Sequence, residues 1–489
     1  MEKAYFKRKT RIVATIGPAS HRPAIIEELI KAGVDVVRLN FSHGDKELHG
    51  KVIRDVRAAG KRLDRPVSIL MDLQGPKIRV GRLKSASIEL KSGQKMLISA
   101  SAPDGDEAII STTYADLYKD VKAGDRILLD DGLIELRVGK VSGRTVECEV
   151  VYGGILKEHK GMNLPGINIS APSLTDKDIE DLAFGIGEEV DYIALSFVRR
   201  PSDIADLKKR IRERGADIPV IAKIEKAEAL ENLDAILEES DGIMIARGDL
   251  GVELSAEAVP VLQKKLIFKA NEAGKTVITA TQMLESMIEN ARPTRAEASD
   301  VANAVFDGTD ALMLSGETAV GKYPVRAVEM MAKIAIEAEE AALSQKHFLR
   351  RKKAQAGSFA QAVAFAAHAA SDEVSSKAIV VFTQTGDTAR ILSKLRPTSR
   401  VVAFTPLEST WRRLALVWGV EPFLIEFGTH TDEMICRGEA ALLDNGIAGL
   451  GDTIVIVSGT KVGMIGATNM MKIDWIGSEE CKLYLKEKK

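Results

Sequence analysis

Short and almost wholly apolar runs alternate with amphipathic segments over much of the chain. Segments such as residues 23–31 and 202–214 place apolar side chains at helical spacing. Eight apolar runs have the length and β-branched content of strands covered on both faces: residues 11–16, 34–39, 67–72, 192–197, 220–224, 242–246, 276–280 and 311–314. Eight strand-then-helix units predict an α/β fold built on a closed (β/α)8 TIM barrel.

The alternation stops once, between Asp72 and about residue 172, where no convincing helix is predicted. Short segments with alternating apolar and polar residues lie here instead, at 87–90, 96–99, 126–129, 134–138 and 145–151, separated by turn signals such as KSGQK and KAGDR. We therefore predict a β-barrel-like cap domain over residues 74–171, inserted into a barrel formed by residues 1–73 and 172–340. A domain inserted in this way is expected to move about a hinge.

A second α/β pattern follows the polar and basic stretch SQKHFLRRKKAQAGS, which predicts a domain boundary. Strands are predicted at 378–382, 401–404 and 453–457, and helices at 359–370, 388–395, 409–418 and 432–444. This order predicts a smaller, doubly wound C-terminal α/β domain over residues 341–489.

Composition and charge narrow the functional class. The chain has 489 residues, of which 45% are apolar and 28% charged, and its formal net charge is −2. This near balance argues against a general attraction to nucleic acid or to anionic lipid. No run of 18 apolar residues and no apolar leader segment occurs, so neither a membrane helix nor secretion is expected. Cys148, Cys436 and Cys481 are odd in number and far apart, so they fit neither a disulfide framework nor a zinc site. We expect buried or incidental thiols in a cytoplasmic protein.

Charged residues cluster where the predicted barrel strands end. The carboxyl ends of such strands meet at one pole of a barrel, where active sites form. Opposite charges at that pole suit a phosphorylated substrate clamped by cations while a divalent metal bridges its oxygens, which is the requirement of phosphoryl transfer. The residues concerned are Arg38, Arg79, Lys223 and Arg247, beside Asp72, Glu225 and Asp249.

Single members of this group have simpler interpretations. Asp249 alone could cap a helix that starts at Leu250. Lys223 and Glu225 lie on the same face of a strand, so they could form an isolated ion pair. The prediction therefore depends on the whole constellation.

These segments also resemble the pyruvate kinase family. The similar motifs are RLNFSHG, DLQGPKIR, AKIE, MIARGDLGVE, TATQMLESM, RPTRAEASDVANAV and DALMLSGETA, and the resemblance covers nearly the whole chain. It implies a bacterial-type enzyme, without an extra C-terminal domain, that moves a phosphoryl group from phosphoenolpyruvate to ADP, giving pyruvate and ATP in the last step of glycolysis. It also implies dependence on Mg²⁺ or Mn²⁺ and assembly into a homotetramer.

The resemblance assigns roles to single residues. Lys223 would offset the charge of the transferring phosphoryl group, Arg38 would contact the phosphate, and Arg79 would assist from the cap. The other implied positions are Glu225 and Asp249 for Mg²⁺; Ser196 and the amides of Gly248 and Asp249 for the substrate; Thr281 for proton delivery to the enolate; Asn40, Ser42, Asp72 and Leu73 for a monovalent cation; and Pro18, His43, Arg79 and Lys160 for the nucleotide.

One position departs from the family pattern. Members that depend on potassium usually carry Glu where this chain has Lys77. Our hypothesis is that the Lys77 ammonium group replaces the potassium ion, so that K⁺ is not required. The alternative is that Lys77 faces solvent at the hinge.

A loop of the last domain is a candidate effector site. Thr383, Thr385, Gly386 and Thr388 surround a predicted helix start, where hydroxyl and amide groups can bind a phosphate. An ordinary turn with a threonine cap would look similar. The family resemblance implies a phosphorylated effector, a sugar phosphate or AMP, although Asp387 would repel it.

Two other functions stay open at this stage. A magnesium-dependent lyase acting on phosphoenolpyruvate or a keto acid would also use Glu225 and Asp249, but it would need neither the cap nor Lys223. A catalytically silent relative would be expected to have lost side chains that this chain retains.

Overall fold

The computed structural model describes residues 8–102, 104–344, 357–461, 464, 466, 468–478 and 481–482. Its first elements alternate as the sequence predicts. They are β1 (Arg11–Thr15), α1 (Pro23–Ala32), β2 (Val36–Asn40), α2 (Lys46–Leu63) and β3 (Ser68–Asp72). Helix α1 begins with a proline at its first position and buries Ile26, Leu29 and Ile30, which explains its placement against the strands.

A β-rich unit follows β3. It contains β4 (Ser87–Leu90), β5 (Lys95–Ser99), β6 (Ile109–Ile110), α3 (Leu117–Asp120), β7 (Arg126–Leu129), β8 (Ile134–Ser142), β9 (Thr145–Tyr152), β10 (Gly154–Lys157) and β11 (Met162–Asn163). Six strands form one sheet in the order β11-β7-β8-β9-β5-β6, and β10 pairs with β4. No helix was expected here, and this expectation is wrong because the unit contains the short, four-residue helix α3. The unit has its own buried core, which includes Ile98, Ile127 and Leu136.

The chain then returns to the barrel and completes it. The elements are α4 (Asp176–Gly187), β12 (Tyr192–Leu195), α5 (Pro201–Glu213), β13 (Val220–Ile224), α6 (Ala227–Glu231), α7 (Leu233–Glu239), β14 (Gly242–Ala246), α8 (Arg247–Glu253), α9 (Val259–Glu272), β15 (Thr276–Ala280), α10 (Arg295–Asp307), β16 (Ala311–Leu314), α11 (Gly316–Ala319) and α12 (Pro324–Ser344). Eight parallel strands close in the order β1-β16-β15-β14-β13-β12-β3-β2. The predicted (β/α)8 barrel is confirmed.

The last elements form a second sheet with helices. They are α13 (Phe359–Glu373), β17 (Ala378–Phe382), α14 (Asp387–Lys394), β18 (Arg400–Thr405), α15 (Glu408–Arg413), β19 (Val420–Leu424), α16 (Thr431–Asp444), β20 (Thr453–Gly459) and β21 (Thr468–Trp475). The strand order is β19-β18-β17-β20-β21, with β21 antiparallel to β20. Alternate residues of β17 enter two separate apolar clusters, one on each face of the sheet, which is why this strand is apolar throughout. Residues 345–356, most of the predicted basic boundary, lie outside the described residues.

Four aspartates organise the amino-terminal pole of the barrel. Each precedes a strand and accepts a hydrogen bond of 2.8 Å from a backbone N–H of the preceding barrel strand in sequence: Asp35 from Ile12, Asp191 from Ile69, Asp241 from Val220 and Asp310 from Val277. The carboxylates therefore satisfy N–H groups at the pole opposite the predicted active site.

The C-terminal unit is attached to this pole. Arg412 binds Asp191 at 2.9 Å, and Lys394 and Arg396 bind Asp310 at 2.5 and 2.8 Å. A 3₁₀ turn, Leu414–Leu416, follows α15, and the fully buried Leu416 joins the cluster of side chains that fills the barrel interior. The C-terminal unit thus supplies one side chain of the barrel core.

The cysteine prediction is wrong for two of the three residues. Cys436 and Cys481 form a disulfide between α16 and the segment after β21, whereas Cys148 is a free, buried thiol in the cap. The pairing was missed because 45 residues separate the two cysteines and only the fold brings their Cα atoms to 5.1 Å. Within the described part of the chain, none of the helices combines the length and apolarity needed to cross a membrane.

Candidate active site

A lysine with only 12% of its side chain exposed lies at the carboxyl-terminal pole. Lys223, next to last in β13, places its Nζ atom 3.0 Å from Glu225 and 3.3 Å from Asp72. The same ammonium group donates to the Ser196 hydroxyl at 2.7 Å. The strand alternation aims Lys223 into the barrel mouth. Glu225 follows directly after the same strand, and Asp72 is the last residue of β3. The simple two-residue ion pair considered from the sequence is therefore part of a larger cluster.

Arg38 completes the positive side of the cluster. Its guanidinium group binds Asp72 at 2.7 Å and donates to the Thr15 hydroxyl at 2.9 Å. Arg38 is only 8% exposed, so it is held rigidly at the bottom of the barrel mouth. Thr15 was not among the predicted residues, although its position at the end of β1 is a signal that could have indicated it.

The charges of this cluster shift one another's protonation. Burial alone would lower the pKa of Lys223, but the carboxylates of Asp72 and Glu225 outweigh burial and raise it above its ordinary value. Burial acts to raise the pKa of Asp72, but the charges of Lys223 and Arg38 are stronger and lower it. Lys223 is therefore cationic and Asp72 anionic at neutral pH.

Glu225 and Asp249 have the properties expected of metal ligands. Burial raises the pKa of Glu225, and the charge of Asp249 adds to this rise against the opposing effect of Lys223. The two cations Lys223 and Arg38 face three carboxylates, which leaves an excess of negative charge beside Asp249 that a divalent cation would neutralise. Within the described residues no group of three acidic, histidine or cysteine side chains surrounds a metal position.

The helix that carries Asp249 starts earlier than a cap at that residue would require. Helix α8 begins at Arg247, with Ala246 at the cap position, so Asp249 lies in the first turn and the cap interpretation is wrong. The Gly248 N–H donates to the Thr281 hydroxyl at 2.9 Å. A substrate carboxylate at the Gly248 amide would therefore share it with Thr281.

Two loop residues of the site adopt left-handed backbone conformations. Phe197 has φ 54° and its N–H donates to Glu225 at 2.8 Å, while Thr281 has φ 67°. A β-branched residue in this region is strained by about 1–3 kcal/mol, and such strain concentrates at functional sites. These conformations direct the Phe197 N–H to Glu225, a predicted metal ligand, and place the Thr281 hydroxyl beside the first turn of α8.

Arg247 does not join the substrate-facing cations that the sequence suggested. Its guanidinium group binds Asp300 at 2.7 Å and donates to the backbone carbonyl groups of the loop after β15. The sequence placed Arg247 correctly at a strand end but could not show that its partners are Asp300 and this loop, and not the cluster around Lys223.

The predicted monovalent-cation residues lie together. Asn40 and Asp72 are register partners at the ends of β2 and β3, and the Asn40 side chain accepts from the Ser42 N–H at 3.2 Å. The Leu73 carbonyl oxygen accepts from the Ser196 hydroxyl at 2.7 Å. Lys77 is exposed and forms no ion pair with a described residue.

The predicted nucleotide residues are spread around the mouth. Burial lowers the pKa of His43, and the charges of Arg79, Lys77 and Arg38 lower it further, so these groups lie close together. Arg79 donates to the His159 carbonyl at 2.9 Å, within the cap. The remaining two are Pro18, whose carbonyl contacts His21, and Lys160, which pairs with Asp130 at 2.8 Å.

The candidate effector loop is internally bonded. The Thr383 hydroxyl accepts from the Gly386 N–H at 2.9 Å, and the Thr385 hydroxyl donates to Asp387 at 2.7 Å. Asp387 also pairs with Arg390, and the hydroxyls of Thr388 and Thr468 are 2.7 Å apart. Helix α14 begins at Asp387, one residue earlier than predicted.

Comparisons with known proteins agree on one family. The profile "Pyruvate kinase, barrel domain" matches residues 7–328, and "Pyruvate kinase, alpha/beta domain" matches residues 361–474. Proteins named pyruvate kinase from Staphylococcus aureus strains MRSA252 and USA300 are each 48% identical over 474 residues, which cover 96% of this chain and 81% of theirs. The crystal structure of a pyruvate kinase from Cryptosporidium parvum is similar with a TM-score of 0.90 and 38% identity, covering 97% of this chain and 98% of that one.

The sequence matches and the structural match each extend over nearly the whole chain, including both segments of the barrel and the C-terminal sheet. The cluster around Lys223 lies at the pole of the barrel where enzymes of this fold bind their substrates. The chain belongs to the pyruvate kinase family.

Proposed function

We propose that this chain transfers the phosphoryl group of phosphoenolpyruvate to ADP, with Mg²⁺ or Mn²⁺ and without potassium, in the last step of glycolysis. The observation that carries the proposal is the contact of one largely buried lysine, Lys223, with the two carboxylates of Asp72 and Glu225, beside a third carboxylate at Asp249. Such a cluster offers both a fixed positive charge and the oxygen ligands of a hard divalent cation at one place.

Each residue of the cluster has a distinct task in this reaction. Glu225 and Asp249 would hold the divalent cation, which supplies positive charge to the substrate oxygens. Lys223 and Arg38 would bind the phosphoryl oxygens, and their fixed positions would stabilise the charge that spreads over them during transfer. Ser196 orients the Lys223 ammonium group.

After transfer, the enolate of pyruvate must receive a proton at C3. The Thr281 hydroxyl, held beside the Gly248 amide, would belong to the polar chain that delivers it. Pro18, His43, Arg79 and Lys160 would bind the nucleotide between barrel and cap. Formation of pyruvate from phosphoenolpyruvate only in the presence of both ADP and Mg²⁺ tests this function. Mg²⁺-dependent cleavage or formation of a carbon–carbon bond in phosphoenolpyruvate or a keto acid, without ADP, would exclude it in favour of a lyase.

Further properties belong to the proposal by family membership. We expect a cytoplasmic homotetramer. We also expect three domains: a barrel formed by residues 1–73 and 172–340, a cap formed by residues 74–171, and a C-terminal α/β domain formed by residues 341–489. The cap would close over the substrate during turnover.

The proposed independence from potassium rests on the placement of Lys77. Its charge acts on His43, which follows the predicted cation ligands Asn40 and Ser42 in the same loop. We expect the wild-type enzyme to be fully active in buffer free of Na⁺ and K⁺, and the Lys77→Glu variant to lose about 100-fold in kcat there and to recover with KCl. Turnover measured against KCl concentration in a tetramethylammonium buffer checks this.

A matched control makes the same charge change elsewhere in the cap. Lys91→Glu, at an exposed turn, should leave turnover and its cation dependence unchanged. A wild-type enzyme that is nearly inactive until K⁺ is added would refute the role of Lys77.

We also expect a phosphorylated metabolite, a sugar phosphate or AMP, to activate the enzyme through the loop of Thr383, Thr385, Gly386 and Thr388. Activation should lower the half-saturating phosphoenolpyruvate concentration by about fivefold or more. Because Asp387 carries a like charge beside the hydroxyl groups, Asp387→Asn should bind the effector about fivefold more tightly. Substrate saturation curves with each candidate effector measure both values, and curves that no effector changes would contradict an effector site here.

A further inference from the structure

The Arg247 side chain is buried and bonded on all sides. It is 8% exposed, although arginine is among the residues that are seldom buried. Its Nη1 atom lies 2.9 and 2.7 Å from the two oxygens of Asp300, and 3.2 Å from the Gln263 side-chain oxygen. The guanidinium group therefore has a fixed orientation, supported from α9 and α10.

The other edge of the guanidinium group holds the loop after β15. Its Nη2 atom donates to the Thr281 carbonyl at 2.7 Å and to the Gln282 carbonyl at 3.2 Å, and Nε reaches the Thr281 carbonyl at 3.2 Å. Thr281 and Gln282 have φ 67° and 54°, conformations that persist only where surrounding contacts enforce them. Arg247 supplies these contacts.

The same loop returns to the residue that follows Arg247. The Thr281 hydroxyl accepts from the Gly248 N–H at 2.9 Å and donates to the Ala280 carbonyl at 2.6 Å. The Arg247 side chain thus fixes the backbone of Thr281, while the first turn of α8 fixes its hydroxyl.

We infer that Arg247, anchored by Asp300, is a positioning residue that sets the Thr281 hydroxyl for proton transfer at C3 of the bound enolate. The inference rests on the proposed function, because it needs Thr281 in the proton path. Lysine cannot replace this arginine, because only the planar guanidinium group has enough N–H donors in a fixed arrangement to bind a carboxylate and two carbonyl groups together.

Proton transfer can be followed separately from phosphoryl transfer. When pyruvate is bound, a C3–H bond breaks, its electrons form the C2–C3 double bond, and the carbonyl oxygen takes the negative charge. The proton leaves through the Thr281 hydroxyl to solvent, and in D₂O a deuteron returns to C3. Exchange of the pyruvate methyl protons, recorded by NMR with Mg²⁺ and ATP present, measures this step.

A double-mutant cycle tests the inference. Arg247→Lys should slow methyl exchange by about 10- to 100-fold, whereas the KM for phosphoenolpyruvate and the Mg²⁺ requirement should stay within about threefold of wild type. In a Thr281→Ala background the same change should cause no further loss, because Arg247 acts through Thr281. The inference would be overturned if Arg247→Lys slowed exchange in the Thr281→Ala background by the same factor as in wild type. It would also be overturned if the Arg247→Lys variant exchanged at the wild-type rate.

A second variant tests the inference if Arg247→Lys does not fold, which a thermal unfolding measurement would reveal. Asp300→Asn retains one hydrogen-bond acceptor for Arg247 and should slow methyl exchange by about threefold to tenfold. In the Thr281→Ala background, Asp300→Asn should not slow exchange any further. The control Glu272→Gln, at an exposed carboxylate at the end of α9, should exchange at the wild-type rate. Wild-type formation of pyruvate from phosphoenolpyruvate and ADP is measured in parallel, so a failure of the proposed function is recognised independently.

Discussion

Replacing Lys223 by methionine is expected to lower kcat for pyruvate formation by about 1,000-fold or more. Methionine keeps most of the side-chain length but removes the charge that would face the transferring phosphoryl group, and fixed cations in phosphoryl transfer contribute factors of this size. The loss should appear mainly in kcat, because this charge is most valuable when negative charge spreads over the phosphoryl oxygens. Steady-state kinetics at saturating Mg²⁺ measure it.

The matched control is Lys269→Met. Lys269 lies on the outside of the barrel, where it pairs with Asp234 at 3.0 Å, so this change should leave kcat within about twofold of wild type. Lys223→Met also leaves Asp72 and Glu225 without their shared cation, so its thermal unfolding is compared with that of wild type to establish that it is folded. Activity within tenfold of wild type in the folded variant would exclude Lys223 from phosphoryl transfer.

Glu225→Gln is expected to raise the Mg²⁺ concentration needed for half-maximal activity by about 100-fold. An amide is a far weaker ligand for a hard divalent cation than a carboxylate. Glutamine still offers a carbonyl oxygen to the Phe197 N–H, so the strained loop after β12 should keep its conformation. Activity measured against Mg²⁺ concentration therefore isolates the loss of one charged ligand.

Glu231→Gln provides the comparison at an exposed position at the end of α6. It should show the wild-type Mg²⁺ dependence. If Glu225→Gln had the same Mg²⁺ dependence as wild type but a lower kcat, Glu225 would act on Lys223 and not on the metal.

The barrel could be predicted from the sequence because its strands are buried on both faces. β13 to β16 start and end at the predicted residues, since each is rich in apolar residues, and Lys223 is the one charged residue among the four strands. β19 and β21 were not predicted, because β19 contains Glu421 and Pro422 and β21 is a partly exposed edge strand with a mixed pattern. The predicted helix at 409–418 is also too long, since α15 ends at Arg413.

The candidate site could be predicted as a set of strand ends, but not as a set of contacts. Lys223, Asp72 and Glu225 follow from barrel topology alone, since the carboxyl ends of the strands meet at one pole. The direction of a long side chain is decided by packing that no local pattern contains. Arg247 is the example, because its partner Asp300 lies on a helix 53 residues further along the chain.

Leu416 has a consequence for how the parts of this protein depend on one another. The floor of the catalytic barrel is incomplete until the C-terminal unit contributes this side chain. The turn that carries Leu416 follows α15, whose Thr410 donates to the Gln384 carbonyl of the candidate effector loop at 2.5 Å. A fragment ending after α12 would lose the apolar contacts that Leu416 makes inside the barrel whose strand β13 holds Lys223, so we expect the barrel to be less stable without the C-terminal unit.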